Sequence, residues 1–146
     1  MTIEGFCRGP VSMHRNTIPP SSRRFLADYY NSTCSQGTPL VYLPSDPIVP
    51  EEGQFISRPG TYFKYIIRQG RRITASACDD TNLNSERLLH SSMVKVRVDN
   101  NWKYGQILSI FEHLQSGHCP TIFAEIRWFK TLPDNRTPLG YNPWAI

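Results

Sequence analysis

Strict alternation in the second half of the chain constrains its fold most. From Met93 to Val98, Val94, Val96 and Val98 fall on one side and Lys95 and Arg97 on the other. From Thr121 to Phe129, Ile122, Ala124, Ile126 and Trp128 alternate with Phe123, Glu125, Arg127 and Phe129. Period-two placement of β-branched and aromatic residues marks strands with one face on a core. Tyr104 to Glu112 reads as another strand, with Gly105 as a bulge or bend. Asp99-Asn100-Asn101 and Gln115-Ser116-Gly117 supply the turns around it. Upstream, Arg58-Pro59-Gly60 is a turn signal, after which Phe63, Tyr65 and Ile67 alternate with Lys64, Ile66 and Arg68. Gln69-Gly70 then returns the chain into Arg71 to Ala75, a hairpin pattern.

Five such strands joined by short turns predict a mainly β chain. The expected form is a small antiparallel barrel of the SH3-like or BAH-like kind, which leaves few open strand edges. Its span is 56–132. Residues 1–55 read as a proline-rich, partly ordered arm, with Pro10, Pro19, Pro20, Pro39, Pro44, Pro47 and Pro50 disfavouring long helices and central strands. One helix is expected within it, from Ser21 to Tyr30, with Ser21 or Ser22 as N-cap and Phe25, Leu26 and Tyr29 at helical spacing. Leu40 to Leu43 could dock as an edge strand. Residues 78–92 are a polar loop, and 133–146 form a tail from which Tyr141 and Trp144 could pack back.

With 146 residues, 39% of them hydrophobic, the chain carries enough apolar material for one core. A net charge of +4 biases it toward polyanions. No apolar run is long enough to span a bilayer, and the first residues lack a signal-peptide layout, so an intracellular, nuclear protein is expected. The cysteines Cys7, Cys34, Cys78 and Cys119 form no CxxC, which agrees with a reduced compartment. The sequons at Asn31 and Asn135 read as chance matches.

The order of short motifs also carries a resemblance. Ile73-Thr74-Ala75-Ser76 is followed by Asn84-Ser85, Val94-Lys95-Val96, Tyr104-Gly105-Gln106-Ile107 and Ala124-Glu125-Ile126-Arg127-Trp128-Phe129. This half of the chain resembles the β-rich accessory segment of transposase-like proteins of mobile elements. Its last part is similar to BAH and Tudor-type barrels of chromatin proteins. The resemblance implies an accessory module for DNA, RNA or chromatin, and it carries over no catalytic residue. Asp79, Asp80 and Glu86 share one polar loop and do not make a metal-binding acidic triad.

Two residue sets are candidate binding sites. The first is basic: Arg58, Lys64, Arg68, Arg71 and Arg72 around the first hairpin, with Lys95, Arg97 and Lys103 from the second. Cations neutralise phosphates, and interleaved aromatics such as Tyr62, Phe63 and Tyr65 can stack on bases, although Phe63 and Tyr65 sit on the apolar face, where core packing accounts for them better. The second set supports the alternative reading of a protein-interaction module. There Trp102, Tyr104, Glu125, Trp128 and Phe129 would cage a cationic peptide or histone side chain, or an open edge strand would self-assemble. A zinc site from His113, His118 and Cys119 with Cys78 or His90 lacks a defining spacing, so no metal or other cofactor is expected. With no GxSxG, P-loop or GxGxxG, no catalysis is expected either.

Overall fold

The computed structural model describes Thr2–Ile3, Phe6–Cys7, residues 13–76 and residues 91–130. The polar loop with Cys78, Asp79, Asp80, Glu86 and His90, the Asn135 sequon, and the tail with Tyr141 and Trp144 lie outside the described residues. The elements are β1 (Thr2–Ile3), β2 (Phe6–Cys7), β3 (Met13–Thr17), α1 (Pro20–Thr33), β4 (Val41–Tyr42) and β5 (Gln54–Phe55). They continue with β6 (Pro59–Phe63), β7 (Tyr65–Arg68), β8 (Arg71–Thr74), β9 (Met93–Val98), β10 (Asn101–His113) and β11 (Thr121–Trp128).

The fold is mainly β, as the alternation predicts, and its main sheets are antiparallel. The largest runs β1-β11-β10-β6-β3, with β9 added to β10. A second sheet is β2-β7-β8, and β4 pairs β5 in parallel. Among the described residues the sheets stay open, so the expected closed barrel is not formed. The chain passes between the two main sheets at Lys64. There the expected run 63–67 breaks into β6 and β7, and burial moves from Phe63 to Ile66 instead of Tyr65.

β10 is the organising strand. One edge pairs β11 from Gly105 opposite Trp128 to His113 opposite Thr121. The other edge pairs β9 over Asn101–Gln106 and β6 over Ile110–His113. A register shift lies between Ile107 and Ser109. It inverts the alternation, so Phe111 and His113 continue the face begun by Trp102, Tyr104 and Gln106. Ile107 and Ile110 share the opposite face. Gly105, expected as the bulge, sits in regular register. A Cβ there would lie 2.5 Å from Ile126 Cγ2 and 2.9 Å from the Arg127 carbonyl, so its role is close packing under β11.

Two cores follow from these faces. Phe63, Ile66, Ala75, Ile107, Ile110, Ile122 and Ala124 are buried between the two main sheets. On the other face, Phe111 and Phe123 pack with Ile18, Leu26, Ala27, Tyr30 and Val41. The segment expected as a peripheral arm therefore supplies a core layer. α1 starts at Pro20, with Pro19 in the capping position, so Ser21 and Ser22 lie inside the helix. Proline suits a first helical turn because its missing N–H would have no intrahelical acceptor there. The buried stripe is Leu26, Ala27 and Tyr30, while Phe25 is half-exposed. Past the helix, the Asn31 side chain donates to the Val41 carbonyl at 2.9 Å and accepts from the Val41 amide at 2.7 Å, tying α1 to β4.

Candidate functional site

The β9–β10 hairpin turns at Asp99 and Asn100, both with positive φ (48° and 63°). This is the twist of a two-residue type I′ turn, and it fixes the register of the flanking strands. Arg97 is then opposite Trp102, Lys95 opposite Tyr104, and Met93 opposite Gln106. Directly opposed residues share a face. Two cations and two aromatic rings, taken from two separate sequence-derived sets, thus lie together on the outer face of the hairpin.

The Lys95 Nζ sits 4.4 Å from the centroid of the Trp102 ring and 5.5 Å from that of Tyr104. The quadrupoles of both rings attract it. Trp102 stays 51% exposed, so one face of the indole is open to a ligand. Arg127, opposite Gln106, extends the same face and donates to the Gln106 Oε1 at 2.5 Å. The Gln106 Nε2 in turn donates to the buried Ser92 Oγ at 3.4 Å, which holds the glutamine in place. Arg97 donates to Asn100 Oδ1 at 3.4 Å. Among the described residues no carboxylate pairs with Lys95, Arg97 or Arg127; Glu125, two residues before Arg127 on the same face, is held by the Ser109 hydroxyl. A field of three cations around open aromatic rings is suited to a polyanion with stackable groups.

The remaining basic candidates do not join this face. Arg58 precedes β6 at the His113 end of β10, its carbonyl accepting from the Ile18 amide. At about 3.3 Å per residue, that end is roughly 35 Å from Trp102 along the strand. Lys64 occupies the bend between the sheets, its carbonyl accepting from the Ala75 amide. Arg68 and Arg71 oppose one another at the tip of the β7–β8 hairpin, where Gln69 (φ 50°) and Gly70 (φ 74°) make the turn. Arg72 covers the Tyr65 ring on the opposite face of that hairpin, 3.9 Å from its centroid. Lys103, opposite Val96, projects from the other side of β10.

The five-residue aromatic cage is not assembled. Trp128 opposes Gly105, so alternation places it on the face away from Trp102 and Tyr104. Glu125 lies farther along β11, where it accepts from the Ser109 hydroxyl at 3.0 Å. Phe129 donates its amide to the Tyr104 carbonyl just past the end of β11. The sequence reading missed Arg127 and Gln106 as partners of the hairpin face. The alternation of 121–129 had assigned Arg127 a side, but the register with β10 was needed to give it neighbours.

Among the described residues no three His, Cys, Asp or Glu side chains come together, and Cys78 and His90 of the zinc candidate lie outside them. Both ring nitrogens of His113 are engaged: Nδ1 lies 2.8 Å from the Tyr30 hydroxyl and Nε2 2.7 Å from the Ser57 carbonyl. Cys34 and Cys119 are free thiols. No described helix is long and apolar enough to cross a membrane. In comparisons with known proteins, the chain matches no family model, no curated protein and no solved structure.

Proposed function

We propose that this chain is a non-catalytic nucleic-acid-binding module that engages single-stranded DNA or RNA through the outer face of the β9–β10 hairpin. The observation that carries the reading is the half-exposed Trp102 ring with the Lys95 ammonium above it and Arg97 directly opposite, neither cation paired with a carboxylate among the described residues. In this reading a base stacks on the free side of the indole while Lys95, Arg97 and Arg127 neutralise phosphates on either side. A duplex, whose bases are already stacked, gains only the charge contribution. Single strands are therefore the favoured form. A chromatin or mobile-element setting, in the nucleus, fits this binding mode. So does a half-open barrel of the SH3-like kind, with the bend at Lys64 as its corner. The caged-peptide alternative is weaker because Trp128 and Trp102 face opposite ways.

The test is fluorescence anisotropy of labelled oligo-dT and oligo-U with the full chain, together with quenching of tryptophan emission. Binding at low salt, weakened by Trp102→Ala and by Arg97→Glu, supports the assignment. No binding at low salt, or affinity unchanged in both folded variants, rejects it.

A further inference from the structure

The two main sheets touch along β10 and then separate. Between β9 and β6 on the same edge of β10, Ser76 donates its amide to the Ile107 carbonyl at 2.9 Å. From this junction β8 and β9 diverge. β8 pairs with β7 and β9 with β10, and among the described residues each has one unpaired edge. A cleft of about 490 Å³ lies between them. Four consecutive residues, Met93 to Val96, line it. A strand viewed face-on could not present four in a row, because successive side chains point opposite ways. The edge of β9 therefore faces the cleft.

Hairpin geometry identifies the open main-chain groups. The pair flanking a two-residue turn is hydrogen-bonded, and the pattern alternates from there. Counting from Arg68–Arg71, the outward amides and carbonyls of β8 belong to Arg72 and Thr74. Counting from Val98–Asn101, those of β9 belong to Arg97, Lys95 and Met93. The floor of the cleft is apolar, with Ile73, Val94, Ile107 and Ile126. Arg68 and Arg71 line it too, and among the described residues no Asp or Glu does.

We infer that this seam is a strand-insertion site for an extended peptide segment of alternating apolar and acidic residues. Three features select that partner. Unpaired rows of N–H and C=O require an extended backbone. The apolar floor takes every second side chain. The two guanidiniums lining the cleft take carboxylates, for which arginine's planar fork is suited. A second copy of this chain is a poor occupant, since the cationic β9 would bring like charges face to face. The site is separate from the Trp102 face, because pairing uses the free edge of β9 and leaves its outer side chains in place.

The experiment titrates the full ¹⁵N-labelled chain with a synthetic peptide of alternating valine and glutamate. Controls are the valine–lysine counterpart and a version with prolines replacing alternate residues. The expected result is slowed hydrogen exchange at the Lys95 and Arg97 amides with the glutamate peptide alone. Arg68→Glu with Arg71→Glu is expected to weaken it about tenfold or more, while Trp102→Ala leaves it unchanged. Equal binding of the lysine peptide, binding that survives the prolines, or absence of protection at Lys95 and Arg97 overturns the inference. Protection that instead rises with protein concentration alone assigns the edge to a second copy and also overturns it.

Discussion

The Tyr30 hydroxyl meets the Nδ1 of His113 at 2.8 Å, joining the helix to the central strand across 83 positions of sequence. The opposite ring nitrogen meets the Ser57 carbonyl, which can only accept, so Nε2 carries the proton and Nδ1 accepts from tyrosine. That arrangement belongs to the neutral imidazole, the form that burial favours. His113 is wholly buried, and that burial is the main reason its pKa falls below the ordinary 6.5. Burial likewise raises the pKa of Tyr30 and keeps it a hydroxyl donor.

A pH dependence of stability follows. Below pH 6.5 the unfolded chain binds a proton at His113 that the folded chain resists, so the unfolded state gains. The contribution is complete above pH 6.5 and declines as the pH drops beneath it. Urea midpoints measured on both sides of that value are expected to fall on the acid side, and the part due to this residue to vanish in His113→Gln. Tyr30→Phe strands a buried ring nitrogen and is expected to cost about 1–3 kcal/mol.

Asn31 acts as a clamp on Val41 through two hydrogen bonds. Asn31→Ala leaves a partly buried amide and carbonyl without partners, for an expected loss of about 1–3 kcal/mol in thermal or urea unfolding. Asn31→Asp keeps the acceptor but sets a carboxylate against the Val41 carbonyl, so it should not restore stability.

Gly105 has no room for a side chain. Gly105→Ala would place a Cβ 2.5 Å from Ile126 Cγ2 and 2.9 Å from a backbone carbonyl. The expected destabilisation is about 1–3 kcal/mol. An unchanged denaturation midpoint would show that β11 can move away from β10 at no cost.

Salt dependence separates charge from stacking on the hairpin face. Three phosphate contacts, at Lys95, Arg97 and Arg127, correspond to a slope of about −2 in log K against log salt for a single strand. Arg97→Gln is expected to flatten that slope by about 0.7. Trp102→Ala is expected to leave the slope intact and remove about 1–3 kcal/mol of affinity. Isotherms at several salt concentrations check both outcomes.

Short-range pattern alone determined the strands after residue 56. Alternation in Met93–Val98 and Thr121–Trp128, and the turns at Asp99-Asn100 and Gln69-Gly70, depend on neighbours a few residues apart and were legible directly. The mainly β class followed from them. The proline-rich beginning was misread as an arm because proline density records where long regular elements are disfavoured. It does not record whether Leu26, Ala27, Tyr30 and Val41 will find an apolar face to cover, and Phe111 and Phe123 provided that face. The candidate site was half legible, since both the cations and the rings were visible as residue types. Which of them meet depended on strand register, and on the shift between Ile107 and Ser109 that no local pattern announces. Register is decided by packing summed over whole faces, so it put Lys95 over Trp102 and turned Trp128 away.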